Sequence, residues 1–280
     1  MGTRYWVEIV VVRRIVQSIA ALVFNPWLPN FVSGKLYKGQ LKNVCVPVLN
    51  CHSCPAATGA CPIGGLQAAL GAKPFNWVTL HVVGLLGAIG AISGRFACGW
   101  LCPFGYIQDG MYKIPSPKLR IPRVLEWGKF AVLAVLVIAL PLLWVDKTGH
   151  GDPWFCKVLC PAGTLEAAVP LLGVGAERIP ARPYYLILKV SLLVAFLGWM
   201  VVSKRPFCRV ACPLGAIYGM FNRGSLLRLR VDEAKCVKCD LCRKTCPVDL
   251  RVYENPNSSA CIRCLSCQRI CPKQAVDFGL

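Results

Sequence analysis

Near its carboxyl end the chain reads Cys236-Val-Lys-Cys239-Asp-Leu-Cys242-Arg-Lys-Thr-Cys246-Pro247 and then Cys261-Ile-Arg-Cys264-Leu-Ser-Cys267-Gln-Arg-Ile-Cys271-Pro272, two copies of one cysteine pattern. Three cysteines at C-x2-C-x2-C spacing surround one face of a cubane iron-sulfur cluster, and a fourth cysteine before a proline ligates the other cluster. The pattern therefore predicts two [4Fe-4S] clusters, as in a bacterial-type ferredoxin. Zinc is the alternative, but a structural zinc site closes with four ligands and has no use for the extra cysteines in each run.

The exchange of the fourth cysteine between the two copies assigns four ligands to each cluster. The first cluster is expected to be held by Cys236, Cys239, Cys242 and Cys271. The second is expected to be held by Cys246, Cys261, Cys264 and Cys267. We place this α+β ferredoxin domain at residues 226–280.

The preceding part of the chain has the composition of a membrane protein. Hydrophobic residues make up 55% of the 280 residues, and the mean hydropathy is +0.52. A bilayer core of about 30 Å requires about 20 apolar residues in a helix. Four segments approach this length, at 15–32, 75–96, 124–145 and 184–203. The predicted fold is therefore an all-α integral membrane bundle of four transmembrane helices at residues 1–225, followed by the ferredoxin domain.

The net charge of +19 does not indicate nucleic-acid binding, because Lys and Arg are dispersed along the chain and no nucleic-acid module is recognisable. The basic residues instead indicate a membrane orientation. Near the predicted spans, 14 Lys and Arg lie on the side of both termini and 8 lie on the other side. By the positive-inside rule, we expect a multi-pass protein of the cytoplasmic membrane, with both termini and the ferredoxin domain in the cytoplasm.

A shorter motif, Cys-x3-Cys-Pro-x-Gly, recurs at the ends of the predicted spans. Its three full copies begin at Cys98, Cys156 and Cys208, at intervals of 58 and then 52 residues. A degenerate fourth copy contains Cys51, Cys54 and Cys61-Pro62. A proline after the last cysteine removes a backbone donor and stops a preceding helix, so it fixes the turn that presents the thiolate.

The predicted topology sorts these cysteines by membrane face. Four would meet at the cytoplasmic face as ligands of a third cluster, namely Cys98, Cys102, Cys208 and Cys212. Five are candidate ligands of a fourth cluster at the opposite face, namely Cys51, Cys54, Cys61, Cys156 and Cys160. Redox-active thiols without metal are the alternative at the inner face. Disulfides are the alternative at the outer face, where they are permitted.

Three histidines are too few for a membrane cytochrome b, because a bis-histidine haem needs two facing His and only His81 lies in a predicted span. We therefore expect no haem, and a lipid-soluble quinone as the redox substrate. Titratable groups in a membrane are costly and usually functional. The quinone-site candidates are His81 and Lys189 toward the outer face, and Glu126 and Lys129 toward the inner face. His52 and His150 lie among the outer cysteines and could ligate iron or accept a quinol proton, and the alternative for each is a solvated loop histidine. Snorkelling from a helix end is the simpler explanation for Lys129 and Lys189.

With these motifs, the chain resembles the NapH-like ferredoxin-type quinol dehydrogenase subunits, the membrane components that accompany periplasmic nitrate reductase in many bacteria. The resemblance rests on the tandem ferredoxin motifs and on Arg13-Arg14-Ile-Val-Gln17, Arg95-Phe-Ala-Cys98-Gly-Trp-Leu-Cys102-Pro103 and Cys208-Arg-Val-Ala-Cys212-Pro213 with Gly215-Ala-Ile-Tyr-Gly219. It implies a four-helix membrane protein that takes electrons from quinol and passes them through iron-sulfur centres. The outer cysteines are additions to that pattern, which suggests an extra outer centre in a larger respiratory complex rather than nitrate reduction.

Three functions are open on the sequence. The leading hypothesis is an oxidoreductase subunit that exchanges electrons between the quinone pool and iron-sulfur or cytochrome partners. The alternative is an assembly or maturation reductase that acts on metal or thiol groups of a respiratory enzyme. The third is a conduit between two protein partners that binds no quinone.

Overall fold

The computed structural model describes residues 2–71, 77–145, 149, 151–174 and 183–280, and over these ranges the chain is mostly helical. The helices are, in chain order, α1 (Gly2–Phe24), α2 (Asn30–Ser33), α3 (Pro62–Gly71), α4 (Trp77–Ser93), α5 (Phe96–Trp100), α6 (Pro103–Met111), α7 (Gly128–Val132), α8 (Leu140–Leu143), α9 (Pro161–Gly163), α10 (Val169–Gly173), α11 (Pro183–Val202), α12 (Pro206–Val210), α13 (Pro213–Phe221), α14 (Leu241–Thr245) and α15 (Ser266–Ile270). Short 3₁₀ helices cover Gln40–Asn43 and Arg123–Trp127. π-Helical turns cover Leu133–Ala139, Phe155–Leu159 and Thr164–Ala168. The strands β1 (Arg228–Val231) and β2 (Val276–Gly279) pair antiparallel.

Three predicted spans coincide with long helical stretches. The span at 75–96 corresponds to α4, with its first two residues outside the described ranges, and the span at 184–203 corresponds to α11. The span at 124–145 corresponds to one continuous helical stretch, Arg123–Leu143. The span predicted at 15–32 is wrong in its bounds, because α1 ends at Phe24. Pro26 and Pro29 follow and cannot donate the backbone hydrogen bonds that would continue the helix.

Two of these stretches, Arg123–Leu143 and Tyr184–Val202, are long and apolar enough to cross a membrane, and the shorter Trp77–Ser93 is also apolar. Large apolar side chains are exposed along them, including Val135, Ile187 and Val194. An apolar surface of this extent is typical of a protein that is embedded in lipid or covered by a partner.

Each Cys-Pro pair of the repeated motif marks the start of a helix. α3, α6, α9 and α13 all begin at the proline that follows a cysteine. Proline is favoured at the first helical position, because its φ is already helical and the missing N–H would have no partner in the helix. The last cysteine of each motif therefore lies at a helix N-terminus, with an extended backbone at Cys102, Cys160 and Cys212.

Polar contacts attach α1 to α5 and α6. Arg13 of α1 is buried and pairs with Asp109 of α6, with 2.7 Å between Nη2 and Oδ2. Gln17, one turn further along, donates from Nε2 to the carbonyl of Gly99 at 3.1 Å. The opposite side of α1 is apolar and exposed, for example at Ile15. α1 therefore presents its polar side to the protein and its apolar side outward.

The ferredoxin domain repeats one backbone geometry in its two halves. Lys238 and Arg263, before the second cysteine of each run, both have a φ of 51°. Asp240 and Leu265, after the same cysteine, have φ values of 59° and 61°. The left-handed backbone conformation costs about 1–2 kcal/mol for each residue other than glycine. Because both runs nevertheless adopt it at equivalent positions, we infer that this turn is needed to present the thiols.

The ferredoxin domain lies directly on the membrane domain. A Cβ added at Gly99 of α5 would lie 2.3 Å from the Ile262 carbonyl oxygen, and one added at Gly219 of α13 would lie 2.5 Å from that of Ser259. Arg95 donates from Nη1 to the same Ser259 carbonyl at 2.7 Å. The backbone just before and within the second cysteine run is therefore in contact with both motif-bearing helix pairs.

We expect Gly99→Ala to loosen this contact. The added methyl group would meet backbone at 2.3 Å, and forced overpacking costs about 1–3 kcal/mol. The measurement is the apparent thermal midpoint of the detergent-purified protein, together with protease sensitivity of the ferredoxin domain. Gly110→Ala is the matched control, because its Cβ meets nothing within 4 Å and Ala is favoured over Gly in a helix by about 0.5–1 kcal/mol. Equal midpoints for the two variants would contradict the close docking.

Candidate iron-sulfur centres

The first ferredoxin set lines one cavity at the protein surface. This surface set consists of Cys236, Cys239, Cys242 and Cys271. Cys239 is exposed, and the other three thiols are half-buried. Burial raises the pKa of Cys242, and the neighbouring Cys239 and Cys236 thiolates add to the rise. The structure thus brings together the four cysteines that the sequence assigned to one cluster.

The second ferredoxin set lies inside the protein. This buried set consists of Cys246, Cys261, Cys264 and Cys267, all of them buried. Burial raises the pKa of Cys267 well above its usual value. Thiolates of both sets add to the rise, namely Cys264 and Cys261 of the buried set and Cys242 of the surface set. Cys242 and Cys271 of the surface set pack against the buried cluster that contains Cys261 and Cys267, so the two sets are neighbours.

A third group of thiols forms where α5–α6 meet α12–α13. This inner set consists of Cys98, Cys102, Cys208 and Cys212, all of them buried. Burial, with the neighbouring Cys208 and Cys98 thiolates, raises the pKa of Cys102 to about 12. Burial also raises the pKa of Cys212, with added effects from the same two thiolates. The two predicted C-x3-C pairs therefore face each other.

Two fully buried arginines join the halves of the inner set. Arg95 and Arg205 each precede the first cysteine of a motif by three residues, and each is 1% exposed. Arg95 donates from Nη2 to the Cys208 carbonyl at 3.0 Å, and Arg205 donates from Nη1 to the Cys98 carbonyl at 3.3 Å. Each guanidinium therefore crosses to the opposite motif, which gives the inner set an approximate internal two-fold symmetry.

The motif glycines make room for these arginines. A Cβ at Gly215 would lie 2.5 Å from Arg95 Nη2, and one at Gly105 would lie 3.1 Å from Arg205 Nη1. Arg205 is also held by Asp109, with 2.7 Å from Nε to Oδ1 and 2.6 Å from Nη2 to Oδ2. Burial alone would raise the pKa of Asp109, but the Arg205 guanidinium outweighs it and holds the pKa of Asp109 below its usual value.

A fourth group of thiols forms where the loop after α1 meets the third motif. This outer set consists of Cys51, Cys61, Cys156 and Cys160. Burial raises the pKa of Cys160 well above its usual value, and the Cys156, Cys51 and Cys61 thiolates add to the rise. A Cβ at Gly163 would lie 3.4 Å from the Cys51 Sγ and 3.6 Å from the Cys160 Sγ. The degenerate fourth motif thus supplies two thiols that face the third motif.

Cys54 was predicted among the outer ligands, but the structure places its thiol beside the outer set rather than within it. Its Sγ donates to Asn25 Oδ1 at 3.7 Å, and its side chain packs against Ala56 and Ala57. The hydrogen bonds of the loop explain this placement, because the buried Lys42 amine holds the Cys54 carbonyl at 3.0 Å. The sequence could not separate Cys54 from Cys51 and Cys61, since all three share one loop.

The glycine of each motif supplies a hydrogen bond to the cysteine three residues before it. The Gly163 N–H donates to Cys160 Sγ and the Gly215 N–H donates to Cys212 Sγ, both at 3.3 Å. The Gly105 amide lowers the pKa of Cys102 against the larger effect of burial. These amides stabilise thiolate rather than thiol.

A further set of side chains contacts the thiol groups, and sequence reasoning did not identify it. In each motif the sixth residue after the Cys-Pro cysteine is polar; these residues are Gln67, Gln108, Glu166 and Tyr218. Gln67 Nε2 donates to Cys156 Sγ at 3.4 Å, and Gln108 Nε2 donates to Cys208 Sγ at 2.9 Å. The constant offset in the four copies was the signal available in the sequence.

The other two members of this series differ in their contacts. Glu166 Oε2 accepts the Cys51 backbone N–H at 2.7 Å, and desolvation raises the pKa of Glu166 to about 7. The Tyr218 phenol is fully buried. Burial raises the pKa of Tyr218, and the Cys98 and Cys61 thiolates both contribute. Tyr218 belongs to the same buried core as Cys98 of the inner set, and Cys61 of the outer set packs against that core.

The four residues suggested for a quinone site do not converge on one place. His81 is exposed on α4, and Lys189 is half-buried on α11. Lys189 acts on Cys156 of the outer set, where it lowers the pKa of that thiol against the effect of burial. Of the two loop histidines, His52 is exposed, and His150 lies outside the described residues.

Glu126, by contrast, lies at a groove between the membrane domain and the ferredoxin domain, and Lys129 is bonded to Ser259, which also lines that groove. Glu126 lines the groove and accepts from Arg209 Nη2 at 2.6 Å. Lys129 is buried and donates from Nζ to Ser259, to its carbonyl and its hydroxyl, at 3.2 Å each. Six arginines line the groove, namely Arg120, Arg123, Arg209, Arg223, Arg243 and Arg251.

The thiol sets match the donor chemistry of [4Fe-4S] clusters, which take four cysteine thiolates each. All eighteen cysteines are free thiols. Within the described ranges, no three Cys, His, Asp or Glu side chains are gathered as ligands of a metal ion.

Comparison with known proteins supports the same chemistry. A family described as a 4Fe-4S binding domain matches residues 74–122 and 187–231. A second family of the same description matches residues 229–251. The first match covers the inner set, and the second covers the first ferredoxin run. No solved structure matches the chain.

The chain is also similar to three curated proteins. It is 31% identical to the uncharacterized protein MJ0750 of Methanocaldococcus jannaschii, over 67% of this chain and 73% of that protein. It is 29% identical to the methylamine utilization ferredoxin-type protein MauN of Methylorubrum extorquens, over 68% of this chain and 56% of that protein. It is 23% identical to the ferredoxin-type protein NapH of Escherichia coli, over 85% of this chain and 74% of that protein. The chain spans about half the length of several other curated relatives.

Proposed function

Because the chain belongs to the NapH-like family of ferredoxin-type membrane proteins, we propose that it exchanges electrons between the quinone pool and iron-sulfur redox partners within a larger respiratory complex. In this proposal the surface, buried, inner and outer sets each hold one [4Fe-4S] cluster. The clusters, when bound, supply one-electron carriers. The residues of the chain hold the carriers in fixed order and shield them from water.

The observation that carries the proposal is the continuous order of the four thiol sets. The surface set opens to solvent at Cys239 and adjoins the buried set through Cys242 and Cys267. The buried set adjoins the inner set, because a Cβ added at Gly99, next to Cys98, would lie 2.3 Å from the Ile262 carbonyl oxygen and 3.6 Å from the Cys264 amide nitrogen. A chain of neighbouring sets is the arrangement that electron transfer requires.

The step between the inner and the outer set is occupied by an aromatic side chain. Tyr218 is buried and feels the charge of Cys98 from one set and of Cys61 from the other. The proposed electron path therefore extends through the membrane domain, from the ferredoxin domain to the outer cysteines.

The proposal also includes a topology. α1, α4, Arg123–Leu143 and α11 would cross the cytoplasmic membrane, with the ferredoxin domain in the cytoplasm. The apolar lengths of Arg123–Leu143 and Tyr184–Val202 support crossing by these two. The excess of Lys and Arg on the side of both termini, 14 against 8, supports the orientation.

We assign the quinone headgroup to the groove that contains Glu126. Exposed apolar side chains at its lining, Trp127 and Met220, would contact the ring and tail. Arginine donors suit the quinone oxygens, and Glu126 provides a carboxylate beside them. Ser259 lines the same groove and lies two residues before Cys261 of the buried set. A headgroup in the groove would therefore be adjacent to a thiol set.

The test of the quinone assignment is to fill the groove. We expect Met220→Trp to slow reduction of the anaerobically purified protein by a soluble quinol at least about tenfold, which equals about 1.4 kcal/mol of barrier. Reduction by dithionite and iron content should not change. Val194→Trp is the control, since Val194 is exposed on α11 outside the groove lining. If the wild-type protein were not reduced by quinol, the quinone assignment would fail; an unaffected Met220→Trp would move the site elsewhere.

A further inference from the structure

The inner and the outer set are built alike but are surrounded by different charges. Beside the inner set, Arg95 and Arg205 are buried to 1% exposure and reach the carbonyls of its first cysteines. Arg13 is a third guanidinium in this region, and it pairs with Asp109, which also pairs with Arg205. Asp109 is the one carboxylate among these contacts. The inner set therefore lies in a region of net positive charge.

The outer set has a carboxylate at the equivalent place. Glu166 is half-buried and approaches Cys51 to 2.7 Å, from its Oε2 to the backbone nitrogen. Basic groups also occur near the outer set. Lys189 acts on Cys156, and the Lys42 amine is bonded to the Cys54 carbonyl beside the set. Lys157 follows Cys156 in the motif but is paired with Asp152. No arginine in the described part of the chain reaches the outer set as Arg95 reaches the inner one.

The hydrogen bonds differ in the same sense. At the inner set, Gln108 donates to Cys208 Sγ at 2.9 Å; at the outer set, the equivalent Gln67 bond to Cys156 Sγ is longer, at 3.4 Å. Glu166 donates no hydrogen bond to a cysteine sulfur. Its carboxylate instead accepts a hydrogen bond from the Cys51 backbone N–H. Each set thus receives one hydrogen bond from a sixth-position side chain, and the bond to the inner sulfur is the shorter by 0.5 Å.

Net charge and hydrogen bonds to the cysteine sulfurs are two of the factors that set the potential of an iron-sulfur centre. Positive charge and donated hydrogen bonds stabilise the reduced form, because it carries one more negative charge. We propose that these side chains hold the reduction potential of the inner centre above that of the outer centre. The proposal rests on the proposed function, because it requires that both sets hold clusters.

The consequence is a preferred position for the electron. One electron shared between the two centres rests at the inner one, on the side of the ferredoxin domain. Glu166, Gln67 and Gln108 are positioning residues, which act on the centres through sulfur and backbone contacts. They are not themselves oxidised or reduced.

The test is a potentiometric titration of the full-length protein, monitored by electron paramagnetic resonance at a pH well above 7, so that the Glu166 carboxyl is ionised. Signals are assigned with Cys102→Ser for the inner set and Cys160→Ser for the outer set. In the wild type we expect the inner signal to appear first as the potential is lowered. Glu166→Gln should raise the outer potential by at least 59 mV, which is a tenfold change in the ratio of reduced to oxidised centre for one electron. The inner signal should not move.

Gln108→Met is the complementary variant, because it keeps the side-chain length and removes the donor to Cys208. It should lower the inner potential and leave the outer one unchanged, with iron content equal to wild type in both variants. An outer potential at or above the inner one in the wild type would overturn the proposal, as would an outer signal that Glu166→Gln does not shift. A protein with the expected potentials that quinol does not reduce would contradict the proposed function alone. A protein that holds only the two ferredoxin clusters would contradict both.

Discussion

Cys160→Ser is expected to lower the iron content of the anaerobically purified protein from about sixteen to about twelve atoms per chain. The reason is that the outer set consists of four mutually close thiols, of which Cys160 is buried, and loss of one ligand removes the cluster. Cys102→Ser should remove about four irons from the inner set in the same way. The measurement is iron and acid-labile sulfide per chain.

Cys54→Ser is the matched control for the outer set. Cys54 belongs to the same loop as Cys51, but its thiol points to Asn25, so we expect no loss of iron. About eight irons in the wild type, unchanged by Cys102→Ser and Cys160→Ser, would contradict the two membrane-domain centres. The C-x3-C pairs would then be thiols or disulfides, and the chain would be a ferredoxin on a membrane anchor.

Arg205→Gln is expected to destabilise the protein by about 3–5 kcal/mol, which is the cost of breaking a buried ion pair from one side. Arg205 is 1% exposed and Asp109 is 12% exposed in their side chains, and removal of Arg205 leaves the carboxylate with Arg13 alone. Burial opposes the charge on Asp109 and Arg205 offsets it. The measurement is the apparent unfolding midpoint in detergent, read by tryptophan fluorescence.

Arg123→Gln serves as the reference for this variant. Arg123 pairs with Glu254 at 3.1 Å, but its side chain is 82% exposed, and exposed pairs contribute about 0–1 kcal/mol. Arg205→Lys should fall between the two, because it keeps the charge and loses the two-pronged contact with Asp109. If Arg205→Gln unfolded at the same midpoint as Arg123→Gln, the buried pair would not support the inner set.

The ferredoxin domain was the most predictable part of the chain. Its two runs carry three cysteines at local spacing, and the fourth cysteine follows from the same pattern, so few alternatives were available. The structure gathers Cys236, Cys239, Cys242 and Cys271 around one cavity. The bounds of the first span were not predictable to the same degree, because the apolar composition continues through Val32 although the prolines end α1 at Phe24.

The contacts of Glu126 and Lys129 at the groove between the two domains could not be predicted from composition. Glu126 and Lys129 were selected because a charge in a membrane segment is costly. The structure gives both of them partners, Arg209 for Glu126 and Ser259 for Lys129. Those partners lie in other segments of the chain, and no local pattern points to them.

By itself the sequence determined which cysteines can act as ligands and which chemistry they have, because C-x2-C and C-x3-C-P spacing fixes how thiols leave a short stretch of backbone. Only the tertiary structure decided which stretches face each other. It joined Cys51 and Cys61 with Cys156 and Cys160, set Cys54 apart, and brought Gln67, Gln108 and Glu166 to the facing motif. These contacts join residues 89, 100 and 115 positions apart. Such pairs depend on how the helices pack, since the interactions that bring them together are absent from any single segment.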